Sequence, residues 1–228
     1  DTGADGRQIV AALTGLEESH FGLPSDDVGL TVSSEIAGGI SKAETVLTTA
    51  LEPAKATEAA EVDKIAQTAT AFCDSPQGKA TPLACEMAKS LEKTWYEEVK
   101  KKLKPPVANE TEEAKKERQS ANSATFTSEL QKQLASYKLE MTTRRQLAES
   151  LLRVLATPNL SQDRFDELKI TETFLFANTL SSDPAIAAAQ LALRNQPGAT
   201  ELNKDVKRVQ PAAKRALEVF KVYLKSES

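Results

Sequence analysis

Residues 107–157 read VANETEEAKKERQSANSATFTSELQKQLASYKLEMTTRRQLAESLLRVLAT, a stretch with neither glycine nor proline. Tight β-turns need residues that accept positive φ, and glycine is the one that does so without steric cost. A run this long without either breaker reads as helix rather than as a set of hairpins. The glycine-free region is wider still, extending from Gly78 to Gly198. The fold class that follows is all-α. We expect an irregular, elongated helical bundle with one long helix or helical hairpin and a flexible N-terminal segment.

The quoted stretch changes character along its length. Asn109 to Ala124 is polar almost all round, with Glu110, Glu112, Glu113, Lys115, Lys116, Glu117 and Arg118. Such a piece is either a projecting helix laced with ion pairs or a disordered one. From Phe126 an apolar stripe takes over through Leu130, Leu134, Tyr137, Met141, Ala148, Leu152 and Leu155. Arg144 and Arg145 interrupt it, which predicts a break near Thr142-Thr143. One helix and two helices both remain open, and a single helix of fifty residues would extend about 75 Å.

Working outward, the same helical period recurs on both sides. Ile36, Ile40, Ala43, Leu47, Ala50 and Leu51 line one helix that Pro53 ends. Val62, Ile65, Ala66, Ala69 and Phe72 line the next. Thr81-Pro82 then has the order of an N-cap followed by proline, and opens a helix running to Leu103 before Pro105-Pro106. Beyond Thr157-Pro158-Asn159, an apolar helix is predicted over Phe165–Leu180. Asp183-Pro184 starts a short alanine-rich one, and Thr200 opens the last, in which Pro211 should produce a kink. The expected domains are a flexible, acidic, glycine-containing segment over 1–32 and a helical bundle over 33–228. Seven of the nine glycines lie in the first forty residues.

Composition narrows the function classes. With 228 residues and a net charge of −4, the chain has ample core and no bulk attraction to nucleic acid or anionic lipid. Aromatic residues are scarce, which implies closely packed helices with small contact residues. Charge is unevenly placed: Asp1, Asp5, Glu17, Glu18, Asp26, Asp27 and Glu35 face only Arg7, while the segment from Thr200 is rich in lysine and arginine. The two ends may therefore be read as meeting in the fold, as facing different partners, or as ordinary solvated faces. No signal-type apolar region and no membrane-length apolar run occurs, so the chain reads as soluble, as a mature or trimmed product.

Cys73 and Cys85 flank Pro76, Gly78 and Pro82, on either side of a helix-to-helix turn. A disulfide there would close a short loop and contribute about 3 kcal/mol by the chain-entropy estimate. It would also imply an oxidising compartment. The alternative is a pair of unrelated buried thiols. The spacing fits no common zinc pattern and no histidine lies near.

Other motifs carry less. His20 is the sole histidine, so histidine-pair metal motifs are excluded by count, and no G-x-S-x-G elbow accompanies it. Gly78-Lys79-Ala80-Thr81 departs from a phosphate-binding loop, having Cys73 where the first glycine belongs and Ala80 in place of Ser or Thr. Paired carboxylates such as Asp26-Asp27 and Glu112-Glu113 read as surface charge, and no EF-hand loop is present. Lys100, Lys101, Lys102 and Lys104 suit the negative end of a helix. Lys207, Lys214 and Lys221, seven apart, share one side of the last helix and are the better candidates for an interaction face. Ser34, Gly38 and Gly39 place small residues where another helix could approach closely. Asn109-Glu110-Thr111 and Asn159-Leu160-Ser161 both match the N-glycosylation acceptor pattern.

These readings assign no catalytic, cofactor-binding or metal residues, and no small-molecule substrate or nucleic acid is expected. The expectation is a non-enzymatic, extracytoplasmic helical protein working through other proteins in a larger assembly. A periplasmic subunit of a bacterial secretion, conjugation or pilus apparatus fits this description. The alternative is a helical-bundle surface or secreted receptor or antigen of a eukaryotic microbe. An enzyme would need a concave pocket with several perturbed carboxylates, which periodicity cannot reveal.

Overall fold

The structure is a computed structural model that describes residues 33–167, 174–195 and 205–228. The acidic segment 1–32, with His20, and Thr200 lie outside the described residues. Those described form nine α-helices and no strand: α1 Ser34–Leu51, α2 Ala59–Ala71, α3 Pro76–Ala80, α4 Pro82–Lys89, α5 Lys93–Lys102, α6 Glu112–Leu155, α7 Gln162–Glu167, α8 Pro184–Arg194 and α9 Val206–Glu227. Short 3₁₀ turns follow α1, α2 and α7 at Pro53–Lys55, Phe72–Asp74 and Phe174–Phe176. The chain is all-α, and no helix among the described residues is long and apolar enough to cross a membrane.

The described residues separate into two compact units, one of residues 40–139 and one of residues 33–39 with those described from 140 to 228. In the first, α1 buries Ile40, Ala43, Leu47 and Leu51, and α2 buries Val62, Ile65 and Ala69. Phe126, Leu130 and Leu134 of α6 are buried as well, and the Trp95 ring meets Phe126 edge-on at 5.8 Å. In the second, α8 packs closely on α9 through small residues: Ala185 and Ala189 on one helix, Ala212, Ala213 and Ala216 on the other are all buried. Small contact residues are what let two helix axes approach.

The long helix α6 runs without interruption through the positions where a break was expected. Arg145 is not an interruption but a fully buried side chain on the same stripe, four residues from Met141 and three from Ala148. The stripe extends backwards too. Asn122 and Arg118, at four-residue steps before Phe126, are buried, so the polar start of α6 is a packed helix and not a projecting one.

Three other expectations are corrected. The helix expected from Pro82 to Leu103 is two, α4 closing at Ser90, whose hydroxyl donates to the Met87 carbonyl at 2.6 Å. The inward face then restarts in a new phase with Tyr96 and Val99, leaving Trp95 half-buried. Of the helix expected over 165–180, residues 168–173 lie outside the described residues, and Ala177–Ser182 is not helical. Buried Gln190 explains part of this: its amide donates to the Phe174 carbonyl at 2.7 Å and accepts from the Ser181 N–H at 2.7 Å. Finally, α9 begins at Val206, where Asp205 accepts from the Lys207 N–H at 2.9 Å. Pro211 therefore falls in the second turn of the helix, on its exposed side, where water can take the carbonyl it leaves free.

Candidate functional site

Four features of the described residues are built from chemistry that a helical core does not require. The first is a disulfide corner. Cys73 and Cys85 are bonded, with Cα atoms 4.8 Å apart, joining the turn after α2 to α4. Ser75 organises the link between them: its hydroxyl donates to the Phe72 carbonyl at 2.6 Å and accepts from the Gly78 N–H at 3.0 Å. Gly78 is needed for close approach, since a Cβ there would lie 2.0 Å from the Phe72 oxygen. Beside this corner an open groove of about 740 Å³ separates α1 from α2, with Val46, Ala50, Ala71 and Phe72 among its lining and threonines 45, 49 and 68 along it.

The second is a buried ion cluster. The Arg145 guanidinium donates to Asp183 at 2.7 and 3.1 Å and to Glu227 at 2.6 and 3.2 Å. Arg145 and Asp183 have no exposed side-chain surface. Burial by itself would depress the guanidinium pKa, but the Asp183 charge and the hydrogen bonds from both carboxylates outweigh it and the pKa rises. Asp183 does double duty, also accepting from the Ala185 and Ile186 N–H groups as the cap of α8. Gly39 lies against Glu227, and Gly38 lies against Ser228, with a Cβ at either position only 3.1 Å from its neighbour. So the small-residue step at the start of α1 meets the end of α9.

The third feature is a network at the start of α6. Arg118 donates to Glu110 at 2.6 and 3.0 Å and to Glu58 at 2.8 Å. The Asn122 side chain accepts from the Lys104 N–H at 2.8 Å and donates to the Thr57 and Lys104 carbonyls at 2.8 and 3.0 Å. The hydrogen bonds that Arg118 donates hold the Glu110 carboxyl below the ordinary glutamate range.

The fourth is the outward face of α9. Lys207, Lys214 and Lys221 are all exposed, share one side of the helix at heptad spacing, and enter no ion pair with the described residues. Exposed Arg215 and Lys225 add to this face, while Glu218 is its one exposed carboxylate between Lys207 and Lys225. Val219 and Val222 stand among the bases, 40% and 70% exposed. Lys221 and Lys225 also line a depression of about 390 Å³ with Ser33, Glu35, Glu149 and Arg153. Ser34 is exposed at the start of α1, its hydroxyl donating to Glu35 at 3.2 Å.

The remaining sequence candidates separate from these. The lysines ending α5 are partly paired: Lys100 with Asp63 at 2.7 Å, Lys102 with Glu129 at 2.8 Å. Asn109 and Asn159 are exposed in the turns before α6 and α7, and each pattern's hydroxyl caps the helix that follows. Thr111 accepts from the Ala114 N–H at 3.2 Å, and Ser161 from the Arg164 N–H at 3.3 Å. Sequence reasoning missed Arg118, Asn122 and Arg145 as buried groups, although their spacing to Phe126, Met141 and Ala148 carried the signal. Among the described residues no group of three or more His, Cys, Asp or Glu could hold a metal ion. Comparison with protein-family models, curated proteins and solved structures finds no match to this chain.

Proposed function

We propose that this chain is a non-enzymatic, extracytoplasmic protein that works by docking another protein on the outward face of α9. The observation that carries the reading is the exposed row Lys207, Lys214 and Lys221, without an ion pair among the described residues and flanked by exposed Val219 and Val222. Unpaired bases around a small apolar strip fit a partner that is acidic, since complementary charge speeds encounter and fixes register. The Cys73–Cys85 bond supports the compartment, because disulfides persist where the surroundings are oxidising. The polar clusters offer no competing reaction centre: Arg145 and Arg118 are committed to carboxylates within the protein. One setting for such a protein is the bacterial periplasm, as a subunit of an envelope assembly.

Charge reversal tests it. Lys207→Glu, Lys214→Glu and Lys221→Glu together should abolish recovery of the partner that copurifies with the wild-type chain from its own host. Helix content and the disulfide should stay unchanged, the three side chains being solvent-exposed. Undiminished recovery by a folded triple variant contradicts the reading.

A second setting is favoured by one observation: both acceptor-pattern asparagines, Asn109 and Asn159, are exposed in turns. In that setting the chain is a surface or secreted receptor or antigen of a eukaryotic microbe. A bacterial secretion signal in the precursor supports the first setting, and glycan on the native chain supports the second.

A further inference from the structure

We propose that Asn109 is an N-glycan acceptor. Asn109-Glu110-Thr111 has the required pattern, with an asparagine amide and a hydroxyl two residues on. The structure adds what the pattern cannot supply. The chain leaves the core at buried Leu103 and stays exposed through Asn109, which turns it into α6. Asn109 has φ of 62°, the left-handed region that asparagine tolerates better than other side-chain-bearing residues. Its amide makes no hydrogen bond within the described residues, so a bulky group on Nδ2 displaces no partner. Exposed Val107, two residues away, would be shielded by that group.

The residues after it set the order of events. Thr111 caps α6 and Glu110 is held by Arg118. These contacts favour transfer before the first turn of α6 closes, and the folded chain leaves Asn109 exposed. In the step itself, Asn109 Nδ2 attacks the anomeric carbon of a lipid-pyrophosphate-linked oligosaccharide. The N–C bond forms, the C–O bond to phosphate breaks, Nδ2 loses one proton, and the lipid pyrophosphate leaves. Asn159 is a poorer candidate: Leu160 beside it is buried, and Gln210 of α9 donates to the Thr157 carbonyl of its turn. The proposal rests on the extracytoplasmic reading, and glycan at Asn109 would favour the surface setting over the periplasmic one.

The test is expression of the full chain behind a cleavable secretion signal in eukaryotic cells. Both medium and the membrane-enclosed cell pool are mapped by mass spectrometry before and after peptide-N-glycosidase. Wild type should carry glycan at Asn109 that the glycosidase removes, leaving Asp at that position. Thr111→Ser should keep it, while Thr111→Val and Asn109→Asp should lose it; aspartate still tolerates the left-handed turn. A disulfide-bonded chain with bare Asn109, or with glycan on Asn159 alone, overturns the proposal and leaves the extracytoplasmic reading standing. Free Cys73 and Cys85 in the chain taken from its own host would overturn both.

Discussion

Arg145 shows how a charge can occupy the buried stripe of a long helix. Its position is set by period, four residues after Met141, and its charge is offset by Asp183 and Glu227. Removing the cation alone leaves Asp183 buried without its partner, which typically costs about 3–5 kcal/mol. Arg145→Met should therefore lower unfolding stability in urea by roughly that amount. An unchanged midpoint would mean the cluster contributes nothing to the fold. Tyr96 is the opposite case. Its hydroxyl is buried without a hydrogen-bond partner among the described residues, and burial pushes its pKa up. An unsatisfied buried group costs on the order of 1–3 kcal/mol, so Tyr96→Phe should leave stability unchanged or raise it. A clear loss in the same urea titration would show that the hydroxyl has a partner. Neither group is legible from residue type, since both arginine and tyrosine occur on exposed faces; the register of Arg145 was legible from Met141 and Ala148, while that of Tyr96, set by the break after α4, and the partner carboxylates, distant in sequence, were not.

At the scale of elements, caps and turns were readable because their chemistry is local. Asp183-Pro184 starts α8 as its sequence order implies, and Cys73 and Cys85 meet across the turn that Ser75 and Gly78 shape. The break at Ser90–Glu92 was not readable, because no glycine or proline marks it. Opening the bridge with Cys73→Ser and Cys85→Ser should lower stability by about 3 kcal/mol, read by thermal or urea unfolding. The start of α6 should be sensitive to acid. Glu110 has its folded pKa depressed by Arg118, so its contribution is present above the ordinary glutamate value near 4.5 and is lost as pH falls through the lower folded value. Wild type should therefore lose stability on acidification below that point, and Glu110→Gln should flatten the dependence. A slope unaltered by the substitution would place the acid sensitivity elsewhere.

For the whole molecule, fold class was written in the absence of breakers between Pro106 and Pro158, and α6 fills most of that interval. Function was not, because docking chemistry resides in exposed side chains whose types also serve as ordinary solvated surface. Lys207, Lys214 and Lys221 were a candidate face from their spacing, and what the sequence did not carry is that all three are exposed beside Val222 and unpaired among the described residues. The most direct measurement is amine-reactive crosslinking of the chain in its own host, with the linked peptides identified by mass spectrometry. Links to a partner protein should concentrate on Lys207, Lys214 and Lys221. Partner links that avoid these three lysines and fall instead on Lys101, Lys104 or other exposed amines would contradict the assignment of α9 as the docking surface.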